Sequence, residues 1–414
     1  MKKFFITLLA SILLILAPTK IIHADLNDYL NFTAINDTEI SFNKSRNYNN
    51  APIIYYSFDL TNWLQYTFDT PIFLKQNETI YWKGNNSTFN KNADDYINFT
   101  STDLIEAHGN IMSLIDLTST TIPCANCFYS LFKGCDTLLT VPELPATTLN
   151  SGCYSNMFKG CTGLTVLPSD LLPATTLATG CYYHMFDGCT GLTVIPENFL
   201  PATTLATTSY ASMFANCSSL TTVACKIPAN TMFASTCSYM FENCYKLQSL
   251  ADGFISATKV SERCYYGMFS GCRALATISN LSFPALELAT SCYELMFYGC
   301  YSIQGLPDDF LPATILAPSC YRGMFFGCSR ITNVPKLPAR QLADSCYKEM
   351  FRKCSGIYMF DLKDIPGYSK QFLIPASTTG ASPTTPPNET LNMFAEAHST
   401  VASPFGRVIY YMRG

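Results

Sequence analysis

A chain of 414 residues, 48% hydrophobic and only 14% charged, with a formal net charge of −4, lacks the basic surface that a nucleic acid or an anionic membrane would need as a partner. The length suits two or three ordinary domains, or one domain followed by an array of repeats. With so few charges, Thr, Ser and Asn must supply most of the polar groups that face solvent.

The first expected element is an export signal over 1–24. Met1-Lys2-Lys3 is basic, Phe4 to Ala17 is apolar apart from Thr7 and Ser11, and Ile22-His23-Ala24 ends on a small residue. That apolar run is short for a bilayer span and runs into polar sequence, as in a segment removed on export. A secreted or cell-surface location is therefore expected, with membrane attachment only through an anchor the sequence does not identify. Residues 25–116 alternate in strand fashion at Ile53–Phe58, Trp63–Tyr66, Ile72–Leu74 and Ile80–Trp82, with turn-rich breaks such as Asn47–Asn50. Short strands with this punctuation predict a small β-sandwich.

Residues 117–365 carry an internal repeat. Cys153-Tyr154-Ser155-Asn156-Met157-Phe158-Lys159-Gly160-Cys161 recurs at Cys181–Cys189, and further copies begin at Cys264, Cys292, Cys320 and Cys346. Variants run from Cys127 to Cys135, from Ser209 to Cys217 and from Thr236 to Cys244, giving nine copies spaced by 26 to 28 residues. A unit this short buries its apolar residues only against its neighbours. Cys153 to Lys159 is long enough for two helical turns, with Cys153 and Met157 on one face and Gly160 at the helix end. Leu164 to Leu167 reads as a short strand stopped by Pro168, and the Leu172–Ala178 stretch as an extended return. The expected fold class is thus an α/β repeat solenoid of leucine-rich-repeat type, one short strand and one short helix per coil, behind a small N-terminal β-sandwich. Beyond Cys354 the pattern decays into a linker and cap over 366–414, with a Pro, Ser and Thr-rich stretch from Pro375 to Pro387 and a final strand at Val408–Tyr411.

The Met-Phe-x-Gly-Cys-x-x-Leu-Thr core, with Leu-Pro-Ala-Thr-Thr-Leu between copies, resembles the BspA-like leucine-rich repeats of secreted bacterial surface proteins. The segment Tyr-Ser-Phe-Asp…Trp…Ile-Tyr-Trp-Lys-Gly-Asn-Asn is similar to the module that often precedes those repeats. The resemblance implies a leucine-rich-repeat fold, a cap on the first coil, and adhesion or host interaction as the function.

Nineteen cysteines in an exported chain suggest disulfides. The near-uniform eight-residue spacing across a helix favours two columns of buried thiols instead, with bridged pairs as the alternative if the helix is shorter. Cys124-Ala125-Asn126-Cys127 has redox spacing, yet no thioredoxin-like βαβ pattern surrounds it. No zinc spacing, phosphate-cradling loop, nucleophile elbow or carboxylate pair is legible, so no enzyme, cofactor or metal site is expected. His184 occupies a variable slot of its repeat. Thr165, Thr193, Thr221, Gln248, Gln304 and Thr332 follow the first apolar residue of the strand position, with Leu139 and Ala276 interrupting the row. Pointing outward, they would form a polar contact surface for an extracellular protein or glycan. The competing reading is a structural spacer or appendage component without a specific ligand. Tyr301, Arg322, Arg330, Arg340 and Lys348 make the later units less uniform than the earlier ones, which favours recognition.

Overall fold

The computed structural model describes residues 28–45, 48, 51–91, 94–357 and 393–394. The export signal, nearly all of the C-terminal linker and cap, and the strand expected at Val408–Tyr411 lie outside these residues.

Eight strands form the N-terminal part: β1 (Leu30–Ala34), β2 (Thr38–Lys44), β3 (Ile54–Ser57), β4 (Leu64–Gln65), β5 (Ile72–Leu74), β6 (Thr79–Gly84), β7 (Ile97–Ser101) and β8 (Ile105–His108). They pair antiparallel in two sheets, in the orders β4-β3-β6-β1-β8 and β5-β2-β7. Alternate residues of each strand turn inward. Phe32 of the first sheet stacks on Phe99 of the second at 4.2 Å, and Trp82 meets the edge of Phe42 at 4.7 Å. These rings are fully buried. Next to this core, Phe99 packs on Phe132 at 5.6 Å. The Phe99 amide reaches the Leu131 carbonyl at 2.6 Å and the Ile105 amide reaches Thr137 at 3.1 Å. The sheets therefore cover the first repeat with both apolar surface and hydrogen bonds.

From Cys127 onward the repeats lie on one another as thin layers. In the unit at Cys153, the amides of Cys153, Ser155, Met157, Lys159 and Cys161 turn back on carbonyls three residues earlier at 3.0–3.2 Å. The amides between them, of Gly152, Tyr154, Asn156, Phe158 and Gly160, reach Thr179, Cys181, Tyr183, Met185 and Asp187 of the next unit at 2.8–3.0 Å. In this unit alternate amides close turns and join layers, so each of these ten donors has a partner. The same register brings together the phenylalanines that follow Met in each unit, or Leu131 in the first. Ten rings from Phe132 to Phe394 stack face to face with centroids 5.4–5.7 Å apart. The last step is a copy the sequence reading missed. Phe351 donates to the Met393 carbonyl at 2.8 Å, as Phe325 does to Met350 at 2.9 Å, so Met393-Phe394 extends the column.

The α/β solenoid of leucine-rich-repeat type is not the fold, and the resemblance to BspA-like repeats is corrected on the same ground. Cys153 to Lys159 is a run of turns, as are its counterparts. The described residues form open sheets and turns, and their one helical piece is a 3-10 turn at Ile111–Leu114. The physical cause is the left-handed backbone at every fourth residue: φ is 62° at Gly152, 56° at Asn156 and 77° at Gly160. A right-handed helix cannot pass through such positions. Helices also pack about 8–10 Å apart, too far for a ring column at 5.4–5.7 Å. Gly160 is left-handed as expected, but it joins two turns and ends no helix. The strand expected at Leu164–Leu167 does not form. Parallel pairing at that position is limited to β9 (Val194–Ile195), β10 (Thr222–Val223) and β11 (Ser249–Leu250), with one isolated parallel bridge between Ile105 and Leu138.

Candidate functional site

The columns of cysteine are interior structure. All nineteen cysteines are free thiols, and eighteen are buried. The second cysteine of a unit donates to the phenylalanine carbonyl of the preceding layer: Cys161 to Phe132 at 3.0 Å, Cys217 to Phe186 at 3.2 Å, Cys328 to Phe297 at 3.1 Å. Burial pushes these thiols up, Cys153 and Cys264 each to about 12, which leaves them protonated and unreactive at neutral pH. Of the two replaced first cysteines, Thr236 returns its hydroxyl to the Phe233 carbonyl at 2.8 Å, whereas the buried Ser209 hydroxyl has no hydrogen-bond partner.

Of the six residues of the polar row, Thr193, Thr221 and Gln248 lie in adjacent layers, as do Gln304 and Thr332; Thr221 is half-buried and the other five, Thr165 included, are exposed. Neighbours are joined through the backbone: Thr221 to Thr193 at 2.8 Å, Gln248 to Thr221 at 2.9 Å, and Thr332 to Gln304 at 3.0 Å. Two of the hydroxyls already have acceptors within the row, Thr221 on the Thr193 carbonyl at 3.0 Å and Thr332 on the Gln304 carbonyl at 3.4 Å. Ala276 continues the row, accepting from the Gln304 amide at 3.4 Å.

A second row lies along the turn edge, at the position after Met-Phe and at the position after the second cysteine. In the early layers it is a polar network. Asp187, whose side chain is 7% exposed, accepts from Lys159 Nζ at 2.7 Å, His184 Nδ1 at 2.8 Å and Asn216 Nδ2 at 2.8 Å. Burial works to raise its pKa, but those three donors together with the Lys159 charge outweigh it and hold the carboxyl at about 2. His184 therefore has a partner that the sequence reading did not assign. Among the described residues no group of three His, Cys, Asp or Glu side chains is placed to hold a metal ion.

In the later layers the same edge turns aromatic and cationic. Tyr298 stacks on Phe326 at 4.9 Å, and the Arg273 guanidinium lies 4.9 Å from the Tyr245 ring and 5.8 Å from the Tyr301 ring. Arg352 and Lys353 sit 5.6 and 5.7 Å from Phe326. Tyr245, Tyr298 and Tyr301 are each more than 40% exposed although the layers beneath them are closely packed. Tyr298, Tyr301, Phe326 and Lys353 wall a cleft of about 290 Å³ over the backbone of Gly299 and Gly327. With φ of 69° and 77°, these glycines sit where a side chain would be strained, and their bare backbone leaves the cleft open. Of these residues only Tyr301 stood out in the sequence. Tyr298 and Phe326 fall at one repeat position, 28 residues apart, and aligning the units by that position exposes the change from Lys159 and Asp187 to aromatic residues.

Comparison with protein-family models, with curated proteins and with solved structures finds no match.

Proposed function

We propose that this protein is an exported, non-catalytic binding protein that engages an extracellular protein or glycan through the turn edge of its later layers. The observation that carries this reading is the Tyr298, Tyr301 and Phe326 cluster with Arg273, Arg352 and Lys353 around it. Exposed aromatic rings beside arginine are the composition of binding hot spots, and they offer both a stacking face and charged donors. A part that supplied length alone would have no use for aromatic rings along this edge in three layers, at positions held by small, polar or charged groups in the others. Export rests on the N-terminal sequence pattern alone, and among the described residues no helix is long and apolar enough to cross a membrane.

The test is a screen of the purified chain against extracellular-matrix proteins and glycans, with Tyr298→Ser/Tyr301→Ser and Thr193→Ala/Gln248→Ala as paired double variants. A ligand whose affinity falls at least about tenfold in the first variant and not in the second supports the reading. Loss confined to the second would move the contact to the threonine and glutamine row. No ligand at all, with regular polymers seen by electron microscopy, would make the protein a structural spacer.

A further inference from the structure

The first layer differs from the others in a way that bears on thiol chemistry. In most units the first cysteine, or the residue in its place, closes a turn on the residue three before it: Cys153 on Asn150 at 3.2 Å, Cys181 on Ala178 at 3.2 Å, Cys264 on Ser261 at 3.3 Å. In the first unit that partner position is itself a cysteine, Cys124. The ends of such a turn lie within about 7 Å at Cα, inside the range a disulfide spans, and Ala125 and Asn126 form the turn with Asn126 left-handed at φ 55°. The two thiols therefore stand at the two ends of one turn. Cys124 is also the only one of the nineteen cysteines that is not buried.

We propose that Cys124 and Cys127 form a thiol–disulfide exchange site for low-molecular-weight disulfides, the single reactive dithiol in a chain of inert ones. Cys124, as thiolate, attacks one sulfur of the disulfide RSSR, forming a Cys124–S–S–R bond and releasing RS⁻. The Cys127 sulfur then attacks the Cys124 sulfur, closing the Cys124–Cys127 disulfide and releasing the second RS⁻. The two cysteine protons end on the two leaving thiolates, so two cysteines are oxidised as RSSR is reduced to two RSH. Polarity divides the roles. Hydrogen bonding from Cys127 holds the Cys124 thiol down at about 7, while Cys127, sharing its proton with Cys124 and buried, is raised. A partly exposed, low-pKa thiol attacks, and the buried neighbour resolves. The pair sits at the junction with the sheets. The Asn90 amide donates to the Cys127 carbonyl at 2.9 Å and Cys124 Sγ lies 3.9 Å from the Asn90 carbonyl.

The reduced, folded full-length chain is first treated with limiting N-ethylmaleimide and mapped by mass spectrometry. Cys124 is expected to react at least about tenfold faster than any repeat cysteine. Oxidised glutathione is expected to remove two thiols, both in the 124–127 peptide, and the Cys127→Ser variant to stop at one glutathione on Cys124. Maleimide spread evenly over the repeat cysteines, or a wild-type chain that loses no thiols from the 124–127 peptide to oxidised glutathione, would overturn the proposal. The wild-type mapping keeps it falsifiable even if Cys127→Ser misfolds.

Discussion

The Cys189 thiol donates to the Phe158 carbonyl of the preceding layer at 3.0 Å, so one small side chain both fills an interior slot and ties two layers together. Eight second cysteines repeat this bond, from Cys161 to Cys354. Cys189→Ala removes the donor and opens a small void. The expected cost is about 1–2 kcal/mol, measured by urea denaturation under reducing conditions. No change would show that cysteine is there for size alone.

The phenylalanine column gives a larger effect. Phe214 is fully buried between Phe186 at 5.5 Å and Phe241 at 5.7 Å. Phe214→Ala should cost about 3–5 kcal/mol. Amide exchange should rise first at Met213 to Cys217 and in the layers on either side, leaving β1 to β8 protected. Uniform loss of protection across the chain would contradict a layer-by-layer structure.

Ser209 stands in a cysteine slot with its buried hydroxyl unpartnered. Ser209→Cys restores the group that fits this position in neighbouring layers and relieves an unmet hydroxyl, so it should stabilise the chain by about 1 kcal/mol. A lower melting temperature in the variant would mean that the hydroxyl is satisfied by water.

Asp187 sets an acid limit. Its carboxyl is held at about 2 in the folded chain against an ordinary value of 3.8. A depressed carboxylate contributes its stability above the ordinary value and loses it as pH falls through the folded one. Unfolding free energy should therefore drop by on the order of 2 kcal/mol between about pH 4 and pH 2. In Asp187→Asn that part of the slope disappears, because the amide does not titrate. An unchanged acid slope in the variant would place the responsible group elsewhere.

The unit length and the buried residues were legible in the chain, because spacing alone shows which side chains recur together. Met157, Phe158, Cys161 and Leu164 are buried as their recurrence implied. The conformation between them was not legible. Spacing by four suits a helical face, and it suits a ribbon of four-residue turns equally well. The left-handed slots hold Asn156 and Gly160, but also His184, Leu295 and Glu349, so residue type marks them weakly. The turn edge was hidden for a related reason. Tyr298 and Phe326 belong to different units, and only the hydrogen-bond register between layers puts their rings 4.9 Å apart.

By itself the sequence determined that short units must share one interior, since none holds enough apolar surface to fold alone. It also determined that few charges would be available for chemistry. Tertiary structure alone decided how the amides are satisfied, half inside a layer and half between layers, because that choice depends on a neighbour being present at hydrogen-bond distance. With it came the thiol bonds to the phenylalanine carbonyls and the loss of the helix.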